Sequence, residues 1–284
     1  MMTGNWKFDE KYNCWCLEDI LYTEKAVCPP FQQLSIFVPA PWMSAPGVID
    51  REARVGKYTA STVPVVFENN SAGYMEMPHT WLGGPRCYAG QYLERGLVYV
   101  SCGCRGRESR DADGELCGKS PAALVDLKTA LRFLRHHRAE LPGDWDRVIS
   151  AGWSAGGAMS TLLAVSGDNA VFDEYLRANG AYMDESDAVF AAQIYCPIID
   201  LQHADLAYKW FFREDRTCED SPAAPPPPMP PDAPPMPGLG TLVRRDSPFP
   251  FMEPPMLPVR GRSKRAWLSW DGERAHITGL DDYV

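Results

Sequence analysis

Residues 147–160 read RVISAGWSAGGAMS, and the serine at the centre of Gly152-Trp153-Ser154-Ala155-Gly156 follows a short apolar run and precedes a small-residue segment. This is the pattern of a nucleophile elbow, a strained turn between a strand and a helix that exposes a serine hydroxyl. Glycines two places to either side have a steric reason, because side chains there would collide with neighbouring backbone. The N–H of Ala155 is then expected to point to where an oxyanion would develop, with partial positive charge added by the start of the helix. A bare Gly-x-Ser-x-Gly is common by chance, so its weight rests on the strand before it and the helix after it.

Working outward, residues 34–38, 63–67, 97–102, 147–152 and 189–196 are short, mostly apolar runs bounded by Gly, Pro or Asn. Such runs suit strands buried on both faces of a parallel sheet. Between the third and fourth, Ser120 is expected to cap a helix with Pro121 at its first position, and Leu124, Leu127, Leu131 and Leu134 follow at helical spacing. Strand, helix, strand in that order makes a right-handed crossover. The helix after Ser154 is expected to run through Ala158, Leu162 and Leu163 and to stop near Gly167, and Trp145 reads as a packing residue.

The composition changes after about residue 218. Ten prolines occupy the sixteen positions 222–237, which cannot supply ladder or helix N–H donors and are expected to form an extended linker. Residues 266–278 read as a β-hairpin closed at Asp271-Gly272. The expected division is therefore a core over 1–215 and a proline-rich, lid-like segment over 216–284.

A chain of 284 residues, 45% of them hydrophobic, can fill a substantial core. The net charge of −9 argues against nucleic acid as a partner, and no apolar stretch is long enough for a bilayer. Without a basic start followed by an apolar run, a cytoplasmic setting is the default. Nine cysteines leave at least one without an intrachain partner, and the Cys14/Cys16 and Cys102/Cys104 pairs lack zinc spacing, so buried thiols are expected and no metal. No phosphate-cradling or dinucleotide motif is present, so no cofactor is expected.

Several blocks together carry a family resemblance: QQLSIFVPA, ENNSAGYM, GKSPAALVDLKTALRFLR, LPGDWDRVISAGWSAGGAMSTLLAVSGD and YCPIIDLQHADLAYKWFF. In these, residues from about 10 to about 212 resemble the bacterial (subtype B) tannases, α/β-hydrolase esterases that cleave galloyl esters, and their feruloyl-esterase-like relatives. The resemblance implies an α/β-hydrolase fold, a mostly parallel sheet flanked by helices, here without its last strands and with a proline-rich insertion. It further implies Ser154 as nucleophile, Ala155 as one oxyanion donor and Gly73, in the turn Ala72-Gly73-Tyr74, as the other. The triad acid and histidine of such a fold follow the serine in the chain, and that part is missing here. His79 precedes the serine, His136 and His137 end a helix, His276 belongs to the hairpin, and His203, near Asp200 and Asp205, is the best local substitute. The chain is accordingly expected to be the N-terminal portion of a longer esterase, weak or inactive by itself, and a strand at 189–196 without its neighbours would be an apolar edge.

The leading expectation is a serine carboxylic ester hydrolase acting on a small galloyl or related phenolic ester. Two alternatives stand beside it. A prolyl-oligopeptidase-like peptidase also favours Gly-Trp-Ser-x-Gly-Gly but needs a β-propeller for which there is no room. A non-catalytic binding protein on a hydrolase core is favoured by the absent histidine and the proline-rich segment.

Overall fold

The apolar runs become strands of one sheet, and the segments between them supply its helices and its margins. The structure, a computed structural model, describes residues 5–69, 71–84 and 87–197, and the backbone of 267–270 and 275–278. Two compact units are distinguished, Met1–Ile199 and Asp200–Val284.

In the first unit, β1 (Lys7–Asp9), β2 (Cys14–Leu21) and β3 (Gln33–Pro39) form an antiparallel series. Two short ribbons follow, β4 (Met43–Ala45) with β5 (Val48–Ile49), and β6 (Arg54–Val55) with β7 (Tyr58–Thr59). The chain then alternates: β8 (Pro64–Asn69), α1 (Ala89–Leu93), β9 (Val98–Cys102), α2 (Ala122–His136), β10 (Asp144–Trp153) and α3 (Ala155–Val165). A short α4 (Asp173–Ala178) leads to β11 (Ala191–Tyr195). The seven-stranded order is β1-β2-β3-β9-β8-β10-β11, with β9, β8, β10 and β11 mutually parallel.

That order explains where the helices lie. The crossover from β8 to β9 runs toward one side of the sheet and the crossovers from β9 to β10 and from β10 to β11 run toward the other, so right-handedness places α1 on one face and α2 and α3 on the opposite face. Two buried clusters correspond: Leu124, Leu127, Leu131 and Leu134 of α2 pack with Met159 and Leu163 of α3, whereas Ala89 and Leu93 of α1 pack with Val66, Tyr99 and Ala151. Each fully buried leucine contributes roughly 1.5–3 kcal/mol, which makes α2 the firmest clamp on the sheet. Trp145 is buried in the α2 cluster, a packing residue.

Three features differ from the sequence-based expectation. The helix α2 starts at Ala122 with Pro121 in the capping position and no side-chain cap, so Ser120 does not cap it. The strand over 34–38 pairs antiparallel with β9, making the sheet mixed. The strands β1 and β2 were not expected, because Glu18 and Asp19 interrupt the apolar run exactly where the register shifts between Leu17 and Ile20 and Asp19 takes a φ of 59°.

The second unit contributes an antiparallel pair, β12 (Trp267–Trp270) with β13 (Ala275–Thr278), in the register Trp267 to Thr278 and Trp270 to Ala275. The turn at Asp271-Gly272, the proline-rich positions 222–237 and the cluster Asp200, His203 and Asp205 lie outside the described residues.

Candidate active site

The strands β8 and β10 are neighbours, yet the chain leaves β8 toward the face that carries α1 and leaves β10 toward the face that carries α3. Connections that diverge in this way open a crevice at the carboxyl ends of the two strands, the usual place for a ligand in an open α/β sheet. Asn69 and Trp153 end those strands, and Ser154 comes next.

Ser154 is exposed and sits between β10 and α3 with φ 55° and ψ −120°. The bend is held from several sides. The Ser154 N–H donates to the Tyr195 carbonyl at 2.9 Å, and the Ser154 carbonyl accepts from Ala158 N–H at 3.0 Å. A Cβ on Gly152 would lie 2.2 Å from the Gly156 carbonyl oxygen, and one on Gly156 would lie 2.9 Å from the Asn69 carbonyl oxygen. Both positions therefore exclude any side chain, and one on Gly157 would come within 2.7 Å of the Tyr195 carbonyl.

Asn69 ties the end of β8 to this bend. Its Nδ2 donates to Ser160 Oγ at 2.8 Å and lies 3.2 Å and 3.3 Å from the carbonyl oxygens of Gly156 and Ala151. In the sequence, Asn69 stands out only as part of a polar pair closing an apolar strand. Beside the serine, Trp153 and Tyr195 are paired across β10 and β11 and stack with centroids 5.3 Å apart at 22°. Both rings are about half exposed.

The turn Ala72-Gly73-Tyr74 follows β8, with left-handed φ values of 59° at Gly73 and 60° at Tyr74 and a Met75 N–H to Ala72 carbonyl bond of 3.0 Å. Its approach runs along the first turn of α3: the Ser71 carbonyl oxygen is 3.3 Å from where a Gly156 Cβ would be. The far side of the turn is held by Arg107 N–H, which donates to the Tyr74 carbonyl at 2.8 Å, and by reciprocal bonds between Met77 and Cys104. The Ala155 N–H opens α3, where the first four helix donors have no partner within the helix.

His79, His136 and His137 are engaged elsewhere. His79 is buried, its Nδ1 2.7 Å from Ser35 Oγ and its Nε2 3.1 Å from Asp19 Oδ1; burial lowers its pKa more than the Asp19 carboxylate raises it. This Ser-His-Asp chain is structural, because Ser35 is fully buried on β3, and β9 and β8 separate β3 from β10, about 14 Å at the usual strand spacing. His136 stacks on Tyr182 at 3.7 Å and His137 bonds Glu140 at 3.0 Å. Both end α2, at the edge of the sheet where β10 begins rather than where it reaches Ser154. Among the described residues no cluster of His, Cys, Asp and Glu could hold a metal ion, and no helix is long and apolar enough to cross a membrane.

The BD-FAE family model, an esterase family, matches residues 110–213. Among solved structures, the chain is similar to a Fusobacterium nucleatum tannase at 32% identity, covering 74% of this chain and 44% of that one with a TM-score of 0.64. It is also similar to the tannin acyl hydrolase from Lactobacillus plantarum, at 36% identity over 70% of this chain and 43% of that one with a TM-score of 0.62. A third is a tannin acyl hydrolase in complex with ethyl gallate, at 33% identity over 75% and 47% with a TM-score of 0.62. The chain thus spans less than half the length of these relatives. No curated protein matches it in sequence.

Proposed function

From a chain that has the α/β-hydrolase core of the bacterial tannases, we propose a serine-dependent carboxylic ester hydrolase whose acyl group is galloyl or a related phenolic acid. The observation that carries the proposal is the left-handed, exposed Ser154 at the junction of β10 and α3. In this reading the Ser154 hydroxyl attacks the ester carbonyl, the N–H groups of Ala155 and Gly73 receive the developing oxyanion, the alcohol leaves, and water releases the acid from the acylated serine. The phenolic substrate is supported by the ethyl gallate and 3,4-dihydroxybenzoate complexes of the similar tannin acyl hydrolases. The substrate is a small molecule, and the setting is the cytoplasm.

A second reading, a non-catalytic binding protein on the same core, is favoured by one observation: His79, His136 and His137 are committed away from Ser154. Without an imidazole the serine hydroxyl stays protonated at neutral pH, and loss of the triad base costs on the order of 10⁶ in kcat in a well-studied serine protease. A fluorophosphonate probe separates the two readings on the full-length protein. The esterase reading expects covalent labelling that maps to Ser154 and disappears in Ser154→Ala, together with release of gallate from methyl gallate. A well-folded chain that takes up no label and releases no gallate would support the binding protein instead.

A further inference from the structure

The eight described cysteines are free, and most are sealed in the core. One pair stands apart. The sulfurs of Cys28 and Cys117 are 3.2 Å apart although 89 positions separate them in the chain. Cys28 is 5% exposed whereas Cys117 is partly open to solvent. The Cys14 and Cys16 sulfurs, 3.8 Å apart, are both buried on one strand and two positions apart, where no solvent oxidant reaches.

Both backbones are pinned. Cys28 heads the turn Pro29–Phe31, its N–H donates to Gln32 Oε1 at 2.9 Å, and its thiol lies 2.9 Å from the Arg110 carbonyl. Cys117 donates its N–H to the Ser109 carbonyl at 2.9 Å, and its own carbonyl accepts from Arg105 at 3.2 Å. The loop between β9 and α2 that carries Cys117 also buttresses the Gly73 turn, through Arg107 N–H on the Tyr74 carbonyl and through Gly106, where a Cβ would come within 1.9 Å of Glu76 N.

We propose that Cys28 and Cys117 form a redox-active dithiol that a low-molecular-weight disulfide such as oxidised glutathione converts to an intrachain disulfide, clamping the 106–117 loop to the turn that precedes β3. The order of events follows from exposure. The Cys117 thiolate attacks one sulfur of oxidised glutathione, the bond between the glutathione sulfurs breaks, and one reduced glutathione leaves. Cys28 then loses its proton to solvent and attacks the Cys117 sulfur of the mixed disulfide, releasing the second glutathione. Two protein thiols are oxidised to one disulfide and one oxidised glutathione is reduced to two thiols. Burial and the neighbouring Cys117 thiol push the Cys28 pKa up to about 12, which keeps Cys28 protonated in the reduced pair and leaves the more open Cys117 to meet the oxidant first.

The test is made on the full chain, reduced or treated with oxidised glutathione, by non-reducing peptide mapping, thiol counting and thermal melting. The expected result is a linked Cys28–Cys117 peptide, two fewer titratable thiols, and a Tm higher by about 5–10 °C, since the crosslink closes a long loop in the unfolded chain. In Cys28→Ser the reaction stops at a glutathione adduct on Cys117, and in Cys117→Ser Cys28 acquires no adduct. The proposal is overturned if oxidation of the wild-type chain leaves both thiols free, joins either of them to a different cysteine, or links them without raising Tm.

Discussion

Ser154 holds a backbone conformation that costs a residue with a side chain about 1–3 kcal/mol, and it keeps that conformation because the surroundings over-determine it. Gly152 and Gly156 let backbone meet backbone at distances closed to any Cβ, and Asn69 and the Tyr195 carbonyl hold the two ends of the bend. A second residue beside the crevice stores a different tension. Glu68, on β8 opposite Ala151, is buried and accepts from the Tyr99 hydroxyl, and burial pushes its carboxyl up to about 7. Its pKa in the folded state is above its ordinary value of 4.5, so the folded protein holds the proton more tightly than the unfolded one. The associated stability is fully present below about pH 4.5, declines as pH rises through about 7, and is flat above. Glu68→Gln is therefore expected to flatten the dependence: between pH 5 and pH 8 the wild-type protein loses on the order of 3 kcal/mol more than the variant, read from urea midpoints at the two pH values. Equal slopes would show that Glu68 does not titrate in this range.

At the scale of elements, α2 shows why a helix can be legible while its environment is not. Its leucine spacing marks the face toward the sheet, yet the opposite side is buried as well: Asp126, Lys128, Thr129, Arg132 and Arg135 are each at most 5% exposed. Charged residues at those positions read locally as a solvated face. In the fold they are covered by the segment between α4 and β11, where Asp187 accepts from Lys128 at 2.6 Å and from Arg132 at 2.7 Å while Arg135 reaches the carbonyls of Ser186 and Ala188. Lys128 and Asp187 side chains are wholly buried, so removing one partner strands a charge. Asp187→Ala is expected to destabilise by about 3–5 kcal/mol, with Asp187→Asn falling between it and the wild type, as measured by urea denaturation. A loss under about 1 kcal/mol would mean that water reaches the freed cations.

At the scale of the sheet, β11 is the last strand in order among the described residues, and the residues there keep large apolar surface: Phe190 is 66% exposed, Tyr195 44% and Ile194 38%. An apolar margin of a parallel sheet is a template for pairing with another chain. Phe190→Lys should lower self-association, seen as a smaller scattering mass at high protein concentration, with little change in Tm because the replaced ring is largely in solvent. Unchanged association would place the contact surface elsewhere. The same sheet order decides the chemistry, since it brings the segment after β8 alongside the first turn of α3 and keeps His79, His136 and His137 at a distance from Ser154.

Local pattern alone determined the five apolar strands, the leucine helix between residues 120 and 137, and the bend around Ser154, because each depends on sterics and periodicity within a dozen residues. Tertiary structure alone decided that Asn69 braces the bend, that Tyr195 stacks on Trp153, that the polar side of α2 is sealed, and that Cys28 touches Cys117. Those contacts join residues 42 to 91 positions apart, and their partners follow from the order of strands across the sheet, which neighbouring residues do not encode. Even the strand most open to misreading, β2, became visible only through its partner β3, which pairs with Cys14–Leu17 and with Ile20 and Leu21 on either side of the bulge at Glu18 and Asp19.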